Sequence, residues 1–69
     1  MTLMLNGSLR HFEELEGGST LEQMIQHLAL KGDRIAVEHN GSIVPRASWS
    51  QTRVAENDRL EIVHFVGGG

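Results

Sequence analysis

Cysteine is absent from all 69 residues, which excludes disulfide staples and thiolate metal sites. It also leaves no thiol of the chain's own on which sulfur chemistry could run. Cations are few: 6 Lys and Arg stand against 9 Asp and Glu, a formal charge of -3, with a pI near 5.7. Without clustered cations the chain cannot neutralise a phosphate backbone, so no nucleic acid is expected as partner. Nothing draws it to an anionic membrane surface either. No apolar run approaches the length of a spanning helix, and Met1 to Asn6 is too short for a signal peptide. These absences predict a soluble, cytoplasmic protein, monomeric by itself. Length is scarce as well. A chain of 69 residues buries only about 60% of the surface its unfolded form exposes. A deep active-site cavity would use core volume it can hardly spare, so size favours a carrier or binding module over an enzyme.

What is present is well punctuated. Thr2-Leu3-Met4-Leu5 reads as a strand, and Asn6-Gly7 supplies the positive φ of a tight hairpin turn. Leu9 to Leu15 reads as the returning strand, with alternation lost from Phe12 to Glu16. Gly17-Gly18 breaks the chain before a helix. Either Ser19 with Glu22 or Thr20 with Gln23 has the spacing of a capping box. Leu21, Met24, Ile25 and Leu28 form one apolar stripe at helical spacing. Lys31 is expected in the last turn, with Gly32 as the left-handed terminator. Ile35 to His39 alternates and runs into Asn40-Gly41, a second hairpin signal. Ser42-Ile43-Val44 returns and ends at Pro45, which cannot donate to a central ladder. Ala47 to Thr52 is a loop or a single helical turn, Glu56 to Asp58 a turn, and Arg59 to Val66 the last strand.

Two hairpins flanking one helix, with a further strand, suit an α+β roll in which a mixed sheet wraps one helix. The ubiquitin-like β-grasp has that order. The helix stripe is expected to pack on Leu3, Leu5, Ile35, Val37, Val44, Leu60 and Ile62. Alternation in the last strand turns Glu61, Val63 and Phe65 outward. Val63 and Phe65 then either form a docking patch or cover a sheet edge.

The division expected is a folded domain over residues 1–66 and a flexible glycine tail over 67–69. Gly67-Gly68-Gly69 cannot pack, and glycine leaves the backbone many conformations. Such an end suits a carboxylate threaded into a narrow channel of another protein; a frayed end or a cloning scar is the plain alternative. A carboxylate is a weak electrophile. Adenylation would turn it into an acyl adenylate open to a sulfur or amine nucleophile, and the chain offers no base of its own for that step. With no cysteine, sulfur could be carried only as a C-terminal thiocarboxylate.

The order of these pieces resembles the ThiS family of thiamine-thiazole sulfur carriers, over nearly the whole chain. The matching pieces include Asn6-Gly7, Thr20-Leu21, Ile35-Ala36-Val37-Glu38 and Asn40-Gly41-Ser42-Ile43-Val44-Pro45-Arg46. Asp58-Arg59-Leu60-Glu61-Ile62-Val63 and Val66-Gly67-Gly68-Gly69 close the series. Ile43 to Arg46 is the most specific part, because other ubiquitin-like carriers share the diglycine ending. Two features depart from the family's pattern: Phe12 to Gly18 makes a longer link, and Asn57 stands where glycine is usual.

The resemblance implies no catalytic residue and no bound cofactor. Gly69 would bear the sulfur, with Gly67 and Gly68 as the transfer arm. An E1-like adenylyltransferase (ThiF type) would activate the carboxylate, passing through a transient acyl adenylate. A cysteine desulfurase would supply the sulfur that makes the thiocarboxylate, and a thiazole synthase (ThiG type) would accept it. Arg46 is otherwise a turn residue after Pro45, and only the resemblance makes it a partner contact. Two rival functions are the sulfur carrier subunit of molybdopterin synthase and a ubiquitin-like interaction module with no sulfur chemistry. His11, His27, His39 and His64 lack metal-ligand spacing and read as solvated. Glu13, Glu14 and Glu16 read as a solvated strand end or loop. Trp49 is expected to cover one end of the core.

Overall fold

The computed structural model describes residues 1–65. Strand β1 (Thr2–Leu5) turns through Asn6 and Gly7, at φ 48° and 82°, into β2 (Ser8–His11). Helix α1 (Leu21–His27) follows, then β3 (Ile35–His39), β4 (Ser42–Val44) and β5 (Arg59–His64). The second hairpin repeats the first, with Asn40 at 50° and Gly41 at 89°. Two-residue turns of this kind match the right-handed twist of the strands they join.

Among the described residues the strands form one sheet in the order β2-β1-β5-β3-β4. Only β1 and β5 run parallel. The last strand therefore lies at the centre of the sheet, between the two hairpins. This is the α+β, ubiquitin-like arrangement the sequence predicts. No helix among the described residues is long and apolar enough to cross a membrane.

Leu3, Leu5, Ile35, Val37, Leu60 and Ile62 face α1, which returns Leu21, Met24 and Ile25, while Val44 and Leu28 close the margin. Three further core members do not follow from strand or helix periodicity: Met1, Phe12 and Val54. Phe12 also explains the shortened second strand. It pairs with Met1 through bonds of 2.7 Å in both directions, its ring enters the core, and the exposed Glu13 and Glu14 then turn away. The strand expected to reach Leu15 thus ends at His11.

Of the two possible capping boxes, the structure uses Thr20. Its Oγ1 accepts from the Gln23 N–H at 3.1 Å, and the Gln23 side chain accepts from the Thr20 N–H at 2.8 Å. Ser19 instead donates to the Glu16 carbonyl. The expected helix end at Lys31 and Gly32 is overturned. Helix α1 stops at His27, and Ala29 takes the left-handed conformation at φ 58°. The Leu30 N–H returns to the Ile25 carbonyl and the Ala29 N–H to that of Gln26, the two bonds of a Schellman ending. Leu30 is thereby drawn back against the core. Gly32 has a different task. A Cβ there would lie 2.9 Å from Trp49 Cζ3 and 3.3 Å from Arg46 Nε, so its smallness lets the indole approach.

Trp49 sits in the 3-10 helix Arg46–Gln51, two turns where a loop or a single helical turn was expected over Ala47 to Thr52. It is buried, as expected for a residue closing one end of the core, and its indole N–H donates to the Val44 carbonyl at 2.9 Å.

Candidate functional site

Strand β5 presents different things on its two faces and at its two ends. Leu60 and Ile62 point inward, while Val63 is 56% exposed and Phe65 59% exposed. Ala36 on β3 lies opposite Val63, and Ile43 on β4 lies opposite Glu38. Together Ala36, Ile43 and Val63 make a shallow apolar hollow rimmed by Glu38 and Glu61. The docking-patch reading of Val63 gains a member that was not singled out: Ile43, 75% exposed. Single exposed apolar residues are ordinary, but several adjoining ones on one sheet face suit a protein partner. Phe65 continues the run toward the tail, its N–H donating to the Arg34 carbonyl at 2.8 Å.

Arg46 does not join this patch. It opens the 3-10 helix and lines a cleft with Glu22, Gln26, Gly32 and Trp49. That cleft involves α1, which covers the opposite face of the sheet from Val63. The two kinds of candidate contact therefore belong to different surfaces. Val66 and the tail residues Gly67, Gly68 and Gly69 lie outside the described residues.

Both asparagines of the hairpin turns reach β5, a role their turn chemistry does not reveal. Asn40 Oδ1 accepts from the Arg59 N–H at 2.8 Å. Asn6 Oδ1 accepts from the Ile62 N–H at 2.6 Å, and Asn6 Nδ2 donates to the Ile62 carbonyl at 3.2 Å. At the start of β5, His39 Nε2 lies 2.7 Å from Asp58 Oδ2, with side-chain exposures of 18% and 17%. His39 is thus no solvated surface histidine. Partial burial pushes the Asp58 carboxyl up, but hydrogen bonds from the Ala55 N–H, His39 and Asn40, with the charge of His39, outweigh it. The carboxyl is held below the ordinary value. No local pattern in the sequence marks this pair, whose members stand 19 residues apart.

His27 is exposed, as expected, with its ring edge-on to Phe12 and the centroids 5.8 Å apart. Glu13, Glu14 and Glu16 are exposed around a turn, in keeping with a solvated loop. Among the described residues no group of three His, Asp or Glu side chains is arranged to hold a metal ion.

The geometry is that of a small domain with a central strand leading to a glycine end, and known proteins share it. A family model, that of the ThiS family, matches residues 3–69. The sulfur carrier protein ThiS of Bacillus subtilis is 31% identical over 67 residues, covering 97% of this chain and 98% of that protein. The chain belongs to the ThiS family. Residues 3–69 are a ThiS-type region.

The crystal structure of the thiamine biosynthesis protein ThiS from Geobacter metallireducens superposes with a TM-score of 0.85 at 27% identity, each chain covered in full. A thiazole synthase of Paramagnetospirillum magneticum is 41% identical over all 69 residues. This ThiS-type chain spans 20% of the length of that thiazole synthase, and also 20% of one from Magnetococcus marinus that is 36% identical.

Proposed function

We propose that the chain carries sulfur on the carboxylate of Gly69 and donates it to the thiazole of thiamine. The observation that carries this reading is the family match running through residue 69, together with near-complete coverage of a stand-alone carrier in Bacillus subtilis. Nothing in the described residues competes with the tail as a reactive group: the chain has no cysteine, and no buried polar or charged side chain waits in the core.

In the first step the Gly69 carboxylate attacks the α-phosphorus of ATP, a P–O bond forms, and pyrophosphate leaves. An E1-like adenylyltransferase of ThiF type supplies the site. In the second step the terminal sulfur of a cysteine desulfurase's persulfide attacks the acyl carbon, and the C–S bond forms as the bond to AMP breaks and the proton passes to solvent. A thiol reductant then cleaves the S–S bond of the acyl disulfide, releasing the thiocarboxylate as the thiol is oxidised to a disulfide. The product is a thiocarboxylate, whose sulfur is a stronger nucleophile than the oxygen it replaces. The domain's own part is to be recognised and to present the end.

A thiazole synthase of ThiG type is the acceptor best supported, because in two relatives a region like this chain forms part of a thiazole synthase polypeptide. Ile43, Val63 and Phe65 form the face on which these partners dock. Arg46 offers a second, polar contact on the helix side.

ATP–pyrophosphate exchange tests the first step. A chain ending at Gly69, mixed with its adenylyltransferase, is expected to drive exchange of labelled pyrophosphate into ATP, and removal of Gly69 to stop it. No exchange with an enzyme proven active on another carrier would leave an interaction module whose glycine end is never activated.

A further inference from the structure

We propose that Asn6 is a positioning residue for the transfer tail, fixing the point on β5 from which the tail reaches a partner's reaction centre. The transfer part of this proposal rests on the carrier reading above. Its structural part does not.

Asn6 stands where β1 has ended and the chain turns, at φ 48°. Its own N–H donates to the Leu60 carbonyl at 2.9 Å. The carboxamide then reaches one rung further along β5 than the main chain of β1 does, bonding both the N–H and the C=O of Ile62. A primary amide presents a donor and an acceptor side by side, so here it imitates the edge of a strand that is no longer there. The turn alone requires only positive φ, which glycine or aspartate also supplies. Both bonds to Ile62 exceed what the turn needs.

The next rung shows what the clamp delimits. The Phe65 N–H donates to Arg34 and the Asn40 N–H to Arg59, so odd-numbered residues of β5 bond toward β3. Alternation then turns the N–H and C=O of Leu60, Ile62 and His64 toward β1. The β1 register stops at Leu5 opposite Leu60. Among the described residues, none bonds His64 on that side. Among the described residues Ile62 is therefore the last position of β5 held from both sides, while Val63 to Phe65 are held only from the β3 side.

Misplacement of a reacting group by about 1 Å can cost 10²-fold in rate. Losing the clamp leaves β5 in the sheet, since β3 still holds it, but leaves its direction less defined. The effect belongs in the rate of the chemical step, with docking largely unchanged.

Two variants separate clamp from turn. Asn6→Gly keeps the turn and removes both bonds. Asn6→Asp keeps the acceptor but sets a carboxylate oxygen against the Ile62 carbonyl. Leu28→Ala, half-buried just past the end of α1, serves as a destabilised control away from β5. Amide hydrogen exchange of Ile62 is expected to accelerate about tenfold or more in Asn6→Gly, while Glu61 and Val63, bonded toward β3, exchange as before. In pyrophosphate exchange, measured where every variant is folded, kcat for Asn6→Gly is expected to fall about tenfold with KM within about twofold. Asn6→Asp should fall between, and Leu28→Ala should match the unsubstituted chain. An unchanged Ile62 amide, an unchanged kcat in Asn6→Gly, or an equal kcat loss in Leu28→Ala would each overturn the proposal. Failure of the unsubstituted chain itself to support exchange would instead overturn the carrier reading and, with it, the transfer role. The Ile62 amide would still decide whether the clamp exists.

Discussion

The two ends of β5 are held very differently. At its start, Asp58 is bonded by His39 and the Ala55 N–H, the Arg59 N–H by Asn40, and Leu60 is buried between both hairpins and α1. At its far end, the β1 side is supported only as far as Ile62, by a side chain, and Val63 and Phe65 are exposed. One strand therefore anchors the fold at one end and leaves apolar side chains exposed at the other. The difference explains how a domain with so little core can expose apolar surface: the stabilising contacts concentrate at the opposite end of the strand.

Four substitutions sharpen or break this comparison. The largest effect is expected from Leu60→Ala at the anchored end, a loss of about 2–5 kcal/mol in urea denaturation, since a fully buried leucine leaves a cavity. Asp58→Ala is next, with about 1–3 kcal/mol lost at neutral pH because bonded donors are left unpaired. The pH dependence has a definite sign. A carboxyl whose folded pKa lies below its unfolded value of 3.8 contributes stability above that value and loses it as pH falls through the folded pKa. The unsubstituted chain should thus lose part of its stability below about pH 4, and Asp58→Ala should lack that component.

Ala29→Gly touches neither end of β5. It should raise stability by about 0.5–1 kcal/mol, because glycine takes positive φ without the Cβ penalty, and leave transfer unchanged. If transfer changes with it, general stability and not the local hold on β5 governs the tail. Phe65→Ser should change stability least, within about 0.5 kcal/mol, yet weaken partner binding about tenfold as an exposed aromatic contact is lost. Loss of several kcal/mol in Phe65→Ser would contradict the division between the two ends.

Much of this was legible because local chemistry and tertiary structure agree. Asn-Gly pairs can close hairpins by themselves, and both do so. The apolar stripe of α1 and the alternation of β3 and β5 name most of the core. What stayed hidden depends on distance in space. Phe12 breaks the period of β2 because its pairing with Met1 aims its ring at the core, and Val54 is buried from a loop that has no period. Gly32 looked like a helix terminator because glycine commonly is one, but the need of Leu30 to reach the core places the left-handed residue earlier, on Ala29. Asn6 and Asn40 show their turn role in sequence. Their bonds to Ile62 and Arg59 span separations of 56 and 19 residues, which no local pattern records.

The most direct test of the carrier reading is intact mass. The chain ending at Gly69 is incubated with ATP, its adenylyltransferase, a cysteine desulfurase, cysteine and a thiol reductant. Replacement of one terminal oxygen by sulfur is expected to add about 16 Da, to a species that the variant lacking Gly69 never yields. A mass unchanged in the presence of enzymes proven active, or a gain that survives deletion of Gly69, would contradict the carrier account.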